Sequence, residues 1–347
     1  MKRIAKAAAV LAGAAALGAA VERFRIAAPR YDGPVSDHFD GERFHNLEDR
    51  AREEGSFLKW QWTRKPGFWP DWIDAPPGPA PERIVDGGRV RVTFINHATM
   101  LIQTDGVNIL TDPIWSDRTS PVSFAGPRRH RAPGIRFRDL PPIDAVLVSH
   151  NHYDHLDLPT LRLLRVRNGA TPIFTPLGNG ALMARNGIAG ATELDWWHNV
   201  ALNDRVRITL VPAQHFCARA LSDRDRNLWG GFVISGPSGN VYFAGDTGWG
   251  SHFAKIAERF APIRVALLPI GAYLPRWFMK PVHVDPTEAV AAHKALGAST
   301  SIAMHFGTFH LGDDGERQPV EDLQRAITAA GNPRFWVLDQ GEGRDIP

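Results

Sequence analysis

The stretch Val148-Ser149-His150-Asn151-His152-Tyr153-Asp154-His155 decides the reading of this chain. Three imidazoles and a carboxylate fall within six residues, directly after the apolar run Ala145–Val148 and shortly before an expected helix at Leu158–Arg167. Core packing has no use for so many polar donors in one place. Within a loop, alternate positions turn His150 and His152 toward one point. Asp154 and His155 then face a second point a few ångströms away. Such a set suits a metal ion.

The same pattern recurs further along. The run Ile208-Thr209-Leu210-Val211 leads to His215, Val241-Tyr242-Phe243-Ala244 leads to Asp246, and Ser301-Ile302-Ala303-Met304 leads to His305. A lone His after a strand is unremarkable. Four strand ends that each carry a metal-competent side chain form a pattern, because loops on one edge of a sheet carry function on a rigid support. The tally works for two ions. His150, His152 and His215 hold one, Asp154, His155 and His305 hold the other, and Asp246 bridges them. Each ion keeps room for a shared water, as catalysis requires. Fourteen His stand against one cysteine, Cys217, so disulfide frameworks, all-cysteine zinc sites and thiolate clusters are excluded. Imidazole and carboxylate ligands suit two Zn²⁺ ions, with Fe or Mn also compatible. Two dications against Asp154, Asp246 and a hydroxide leave the site at about +1, suited to a monoanionic phosphodiester or a developing oxyanion.

The rest of the chain supplies the scaffold. Of 347 residues, 44% are hydrophobic and 22% charged, enough for a packed core. The formal net charge of +3 is too small to argue for nucleic-acid binding. Further strands are expected at Arg91–Ile95, Met100–Gln103, Asn108–Leu110, Pro172–Thr175, Arg207–Val211, Gly231–Ile234, Val265–Pro269 and Phe335–Leu338. Helices are expected at Gly178–Asn186, His252–Phe260, Pro286–Leu296 and Pro319–Ala330 as well. The third of these opens on Asp285, Pro286 and Glu288, a capping-box-like start. The order of elements predicts an α/β (α+β) chain of two sheets packed together with helices outside.

Before this core lie two other segments. In residues 1–30, Lys2, Arg3 and Lys6 precede the small-residue apolar stretch Ala7–Val21, which reads as a signal peptide or anchor, or else as an ordinary amphipathic or buried helix. Residues 31–85 form an aromatic-rich arm. Its stretch from Lys59 to Trp72 mixes five large aromatics with cations, as at a lipid–water interface or as an arm laid across the main domain. Residues 86–347 are expected to be the catalytic domain.

The motif His150-Asn151-His152-Tyr153-Asp154-His155, with His215, Asp246 and His305, resembles the metallo-β-lactamase superfamily set. Leu110-Thr111-Asp112-Pro113 matches that family's early strand-end aspartate. The segments His97-Ala98-Thr99, Glu193-Leu194-Asp195-Trp196-Trp197, Gln214-His215-Phe216-Cys217, Gly271–Lys280, His283-Val284-Asp285-Pro286 and His305-Phe306-Gly307-Thr308-Phe309 are similar to the N-acyl-phosphatidylethanolamine-hydrolysing phospholipase D family, over about residues 90–345.

The resemblance implies an αββα sandwich of two mixed β-sheets packed face to face, with two metals at the sheet edges. It implies cleavage of the distal phosphodiester bond of an N-acylated phosphatidylethanolamine, giving a fatty acid ethanolamide and phosphatidic acid. Asp112 is implied to orient the metal loop, with His97 structural near the site. Asp246, Asp154 and His283 are the catalytic candidates, His283 as the histidine near the substrate phosphate or as a helix-start residue. Tyr273, Arg276 and Trp277 either line the substrate entrance or pack, with the Arg on a carboxylate. Asn96 departs from the Gly that usually precedes His-Ala-Thr. A phospholipid or membrane surface is the expected partner, and a homodimer is left open. Location is expected at the membrane through residues 1–30, on the periplasmic or extracytoplasmic side, or in the cytoplasm if that segment is no signal. The rival reading is a hydrolase of a soluble phosphorylated lactone or other small ester.

Overall fold

The structure is a computed structural model that describes residues 26–48 and 56–347. Fourteen strands among these residues form two sheets of seven. The first sheet contains β1 (Val90–Asn96), β2 (Thr99–Thr104), β3 (Val107–Thr111), β4 (Ala145–Leu147), β5 (Ile173–Pro176) and β6 (Thr192–Leu194). The second contains β7 (Asn199–Ala201), β8 (Arg207–Val211), β9 (Gly231–Gly236), β10 (Gly239–Phe243), β11 (Ile263–Pro269), β12 (Thr300–Met304) and β13 (Phe335–Trp336). The chain then returns to the first sheet, where β14 (Gly343–Ile346) pairs with β1.

Both sheets are mixed. In the first, β14, β1, β2 and β3 are antiparallel neighbours, and β3, β4, β5 and β6 are parallel. In the second, β7 to β10 form an antiparallel meander, and β10, β11, β12 and β13 run parallel. The expected architecture is therefore the one observed. The expected strands appear with boundaries moved by one to two residues at most ends. Val148 falls outside β4, and the strand expected at Phe335–Leu338 stops at Trp336.

Strand alternation builds the layers. Val92 and Phe94 of β1 and Met100 and Ile102 of β2 share a core with Phe232, Tyr242 and Leu267 of the second sheet. The opposite face of the first sheet, including Leu101, Leu110 and Val146, packs against Leu161 and Leu164 of α2 (Leu158–Asn168) and Leu182 and Met183 of α3 (Asn179–Arg185). Each such buried side chain stabilises the layer by about 1.5–3 kcal/mol. On the second sheet, α4 (His252–Phe260) contributes Phe253 and Ile256, α6 (Pro286–Leu296) contributes Ala289, Val290 and Leu296, and α7 (Gln318–Ala329) contributes Leu323. Asp285 caps α6 as expected: its side chain accepts from the Glu288 amide while Glu288 accepts from the Asp285 amide.

The described residues before β1 lie along this sandwich. Phe39 and Phe44 are buried in the main core. In α1 (Ser56–Thr63), Trp60 stacks on Phe278 of α5 (Arg276–Met279) with ring centres 4.9 Å apart. Its indole donates to Asp313, 3.1 Å away. Trp69 stacks on His310 and donates to the Asp314 carbonyl. Phe57, Leu58, Trp62 and Phe68 are exposed. The arm's aromatics thus divide between packing and solvent. Arg129, within the basic run 128–131, is buried and donates to the Ser116 and Ile114 carbonyls. The signal or anchor expected over residues 1–30 lies outside the described residues except for 26–30. No helix among the described residues is long and apolar enough to cross a membrane.

Candidate metal centre

Strand direction explains why the scattered motifs meet. In the first sheet β1, β3 and β4 run the same way, since β1 and β3 are each antiparallel to β2 and β3 is parallel to β4. In the second sheet β8, β10 and β12 share a direction, since β8 and β10 flank the antiparallel β9 and β10, β11 and β12 are parallel. His97, Asp112, the 150–155 loop, His215, Asp246 and His305 all follow the carboxyl ends of these strands.

His150, His152 and His215 form one cluster. His150 Nε2 lies 2.8 Å from His152 Nδ1, and His215 Nε2 lies 3.3 Å from the same atom. Asp154, His155 and His305 form the other, joined by His97. The Asp154 carboxylate lies 3.2 Å from His155 Nε2 and 3.5 Å from His305 Nε2. Asp246 stands between the two clusters. Its Oδ2 is 3.1 Å from His155 Nε2 and 3.8 Å from His215 Nε2, and its Oδ1 is 3.2 Å from His305 Nε2.

A surrounding set of hydrogen bonds aims these rings. Asp112 accepts from the Ser149 amide at 2.7 Å, from Ser149 Oγ at 2.6 Å and from His155 Nδ1 at 2.6 Å. Ser149 Oγ in turn accepts from His150 Nδ1 at 2.9 Å. His215 Nδ1 donates to the Val282 carbonyl at 2.9 Å. In all three histidines Nδ1 is engaged, so Nε2 faces the site, as metal-binding histidines need. His97 Nε2 donates to Asp154 at 2.8 Å, and the His97 carbonyl accepts from the His305 amide at 2.7 Å. His97 (φ 47°), Asp112 (φ 34°) and His305 (φ 61°) all hold left-handed backbone conformations. Such strain in non-glycine residues gathers at functional sites.

The donor set fits metal ions. His155 Nε2, His305 Nε2 and Asp246 Oδ1 are buried and make no well-aligned hydrogen bond, although ring and carboxylate approach to 3.1–3.2 Å. The large majority of buried polar side-chain atoms in proteins find a partner. Burial holds His150 and His215 well below the ordinary imidazole range and brings His152 and His97 down to about 3. Burial opposes ionising Asp154 and Asp246, but His155 and other site histidines outweigh it and keep both carboxyls well below their usual range. Burial likewise opposes charge on His155 and His305. The carboxylates of Asp246 and Asp154 win there, raising His155 well above its ordinary value and His305 to about 9. An ion entering beside these two rings has to displace their protons.

The remaining expected residues land differently. His283 is half-buried, its ring 5.2 Å from that of His215 and 5.6 Å from that of His305, and it forms a third close group with His215 and Asp246. Tyr273 and Arg276 both turn their polar groups to carboxylates. The Tyr273 hydroxyl donates to Asp322, and its ring is buried. Arg276 donates to the His283 carbonyl at 2.8 Å and to Glu288 at 2.6 Å, with Asp285 at 3.4 Å. It braces the turn carrying His283 because three acceptors converge there. Trp277 is 48% exposed, with Lys59 Nζ 4.9 Å above its ring. Asn96 has no left-handed backbone; the strain falls on His97, so a glycine at 96 is not required here. Cys217 is fully buried, and burial pushes its thiol up, so it is inert. Ser149 and the Val282 carbonyl were not singled out from sequence. Ser149 had a signal in its place beside His150; Val282 had none.

Comparison with known proteins agrees with this geometry. The beta-lactamase superfamily domain matches residues 107–306. The chain is 40% identical over 263 residues to N-acyl-phosphatidylethanolamine-hydrolyzing phospholipase D 1 of Caenorhabditis elegans, covering 72% of this chain and 74% of that one. It is 32% identical over 258 residues to a metal-dependent hydrolase of Methanopyrus kandleri, covering 73% of this chain and 98% of that one. Among solved structures, the metallo hydrolase Igni18 of Ignicoccus hospitalis superposes with a TM-score of 0.56 at 27% identity, covering 75% of this chain and 99% of that one. The chain therefore belongs to the metallo-β-lactamase superfamily as a metal-dependent hydrolase, with the N-acyl-phosphatidylethanolamine-hydrolysing phospholipases D among its relatives.

Proposed function

We propose that the protein is a dinuclear hydrolase of phosphodiesters, of the phospholipase D type, acting on N-acyl-phosphatidylethanolamine to give an N-acylethanolamine and phosphatidic acid. The observation that carries the reading is the convergence of five imidazoles and two carboxylates, with Asp246 between the two clusters. His150, His152 and His215 would hold one ion and Asp154, His155 and His305 the other, shared through Asp246; Zn²⁺ suits this donor set. Bound there, the ions would supply an activated water and neutralise the non-bridging oxygens of the diester.

The protein's own part is orientation. Asp112 and Ser149 fix His155 and His150, His97 fixes Asp154, and the Val282 carbonyl fixes His215. His283 stands beside His215 at the half-exposed side, where a donor to a phosphate oxygen or leaving group is needed. Arg276 holds its carbonyl. A lipid substrate is supported by the relative from Caenorhabditis elegans, which is named for that activity, and by exposed Phe57, Leu58, Trp62 and Trp277 around α1 and α5. Association with a phospholipid surface belongs to the same proposal.

The test is a substrate panel read by mass spectrometry with the zinc-reconstituted full chain. N-acyl-phosphatidylethanolamine vesicles should yield the ethanolamide and phosphatidic acid. Turnover confined to a soluble phosphorylated lactone or small ester would replace the lipid reading.

A further inference from the structure

The segment 26–48 does more than lie on the sandwich: its last turns reach a metal-site histidine. Asn46 Oδ1 accepts from the His215 amide at 3.0 Å, and Asn46 Nδ2 donates to the His215 carbonyl at 2.9 Å. The carboxamide therefore grips both polar groups of one backbone residue, as a neighbouring strand would. Its orientation is fixed, since Oδ1 also accepts from Trp229 Nε1 at 3.0 Å, and Trp229 is buried.

The neighbours extend the grip. Gln214 Nε2 donates to the Glu48 carbonyl at 3.0 Å, and the Ser251 amide donates to the Glu48 carboxylate at 2.6 Å. From the other side, the Gln214 amide donates to Thr247 Oγ1 at 2.9 Å, and the Gly248 amide donates to the Gln214 carbonyl at 2.7 Å. The turn 214–215 is thus held between the arm and the turn that follows Asp246. His215 follows β8 by four residues and has no strand pairing of its own, so its backbone would otherwise be set by few contacts.

We propose that Asn46 is a positioning residue for the metal-ligating His215, and that through it the N-terminal arm sets how tightly the His150–His152–His215 cluster holds its ion. This rests on the two-ion reading above. It does not rest on the lipid substrate. Loss of an outer contact that aims a ligand typically lowers metal affinity by about 10–100-fold. His155 and His305, which have their own supports in Asp112 and His97, are not touched by Asn46.

The test measures zinc release from the reconstituted full chain to a chromogenic chelator, with thermal midpoints recorded alongside. Two zinc equivalents should leave the parent protein in two phases. In Asn46→Ala one phase should accelerate at least about 10-fold while the other stays within about twofold. Asn46→Asp keeps the size and the acceptor but loses the donor to the His215 carbonyl; it should also accelerate only that phase, and it decides the matter if the alanine variant does not fold. Cobalt-substituted Asn46→Asp should show altered absorption bands for one ion of the two. Parental release rates in both variants would overturn the proposal. So would equal acceleration of both phases in step with a lowered thermal midpoint, which marks general loosening. A parent protein that binds fewer than two zinc ions would overturn the two-ion reading itself.

Discussion

At Asp112 one carboxylate ties the end of β3 to the loop after β4, accepting from the Ser149 amide, the Ser149 hydroxyl and His155 Nδ1. Asp112→Asn turns an acceptor into a donor facing a donor. It should lower metal affinity or turnover by about 10–100-fold with little change in fold, measurable by zinc titration and steady-state rates. Asp246→Asn should cost more than that, because its two oxygens face His155, His215 and His305 from both clusters. Parental turnover in Asp246→Asn would contradict its bridging role. The clustered His and Asp residues were legible in sequence because each is a polar, metal-competent residue placed just past an apolar run. Asn46 was not legible, since one Asn in an irregular arm carries no pattern. Tyr273 and Arg276 were half legible: their segment is recognisable, but their partners Asp322 and Glu288 lie elsewhere along the chain and only the fold brings them close.

The elements show where pattern is strong and where context decides. His252–Phe260 and Pro286–Leu296 were legible to the residue, because amphipathic spacing and a capping box mark them. The strands Thr192–Leu194, Asn199–Ala201 and Gly343–Ile346 were not foreseen. They are short edge strands with mixed exposure, formed by pairing with neighbours rather than by their own composition. Replacing the α6 cap, Asp285→Ala, should cost about 1 kcal/mol, read as a lowered thermal midpoint. The arm is latched by His38, which stacks on Trp196 and bonds Asp195 at 2.7 Å and Asp37 at 2.5 Å. Burial opposes charge on His38, but the two carboxylates outweigh it and raise its pKa. A pKa raised on folding adds stability that is full below the unfolded value, about 6.5, and fades as pH climbs through the folded value. The midpoint difference between the parent and His38→Gln should therefore be larger at pH 6 than at pH 9. An equal difference at both would remove His38 as a charged latch.

On the scale of the whole molecule, two mixed sheets with matched strand directions bring distant His and Asp side chains to one edge, and α1 lies against α5, next to the turn that carries His283. The sandwich was legible because apolar sheets must bury their inner faces against each other and cover their outer faces with helices. The division of the arm's tryptophans was not, since Trp60 and Trp62 differ only in which way a helix faces. If the exposed face meets lipid, Leu58→Ser with Trp62→Ser should weaken vesicle sedimentation and vesicle hydrolysis while turnover of a detergent-dispersed short-chain substrate persists. Unchanged sedimentation would place lipid contact elsewhere. The central claim is phospholipase D-type hydrolysis, in which water adds to the diester phosphorus; it is tested most directly by hydrolysing N-acyl-phosphatidylethanolamine in ¹⁸O-water and weighing both products. The label should appear in phosphatidic acid and be absent from the N-acylethanolamine; label in the ethanolamide, or cleavage of an acyl ester instead, would contradict it.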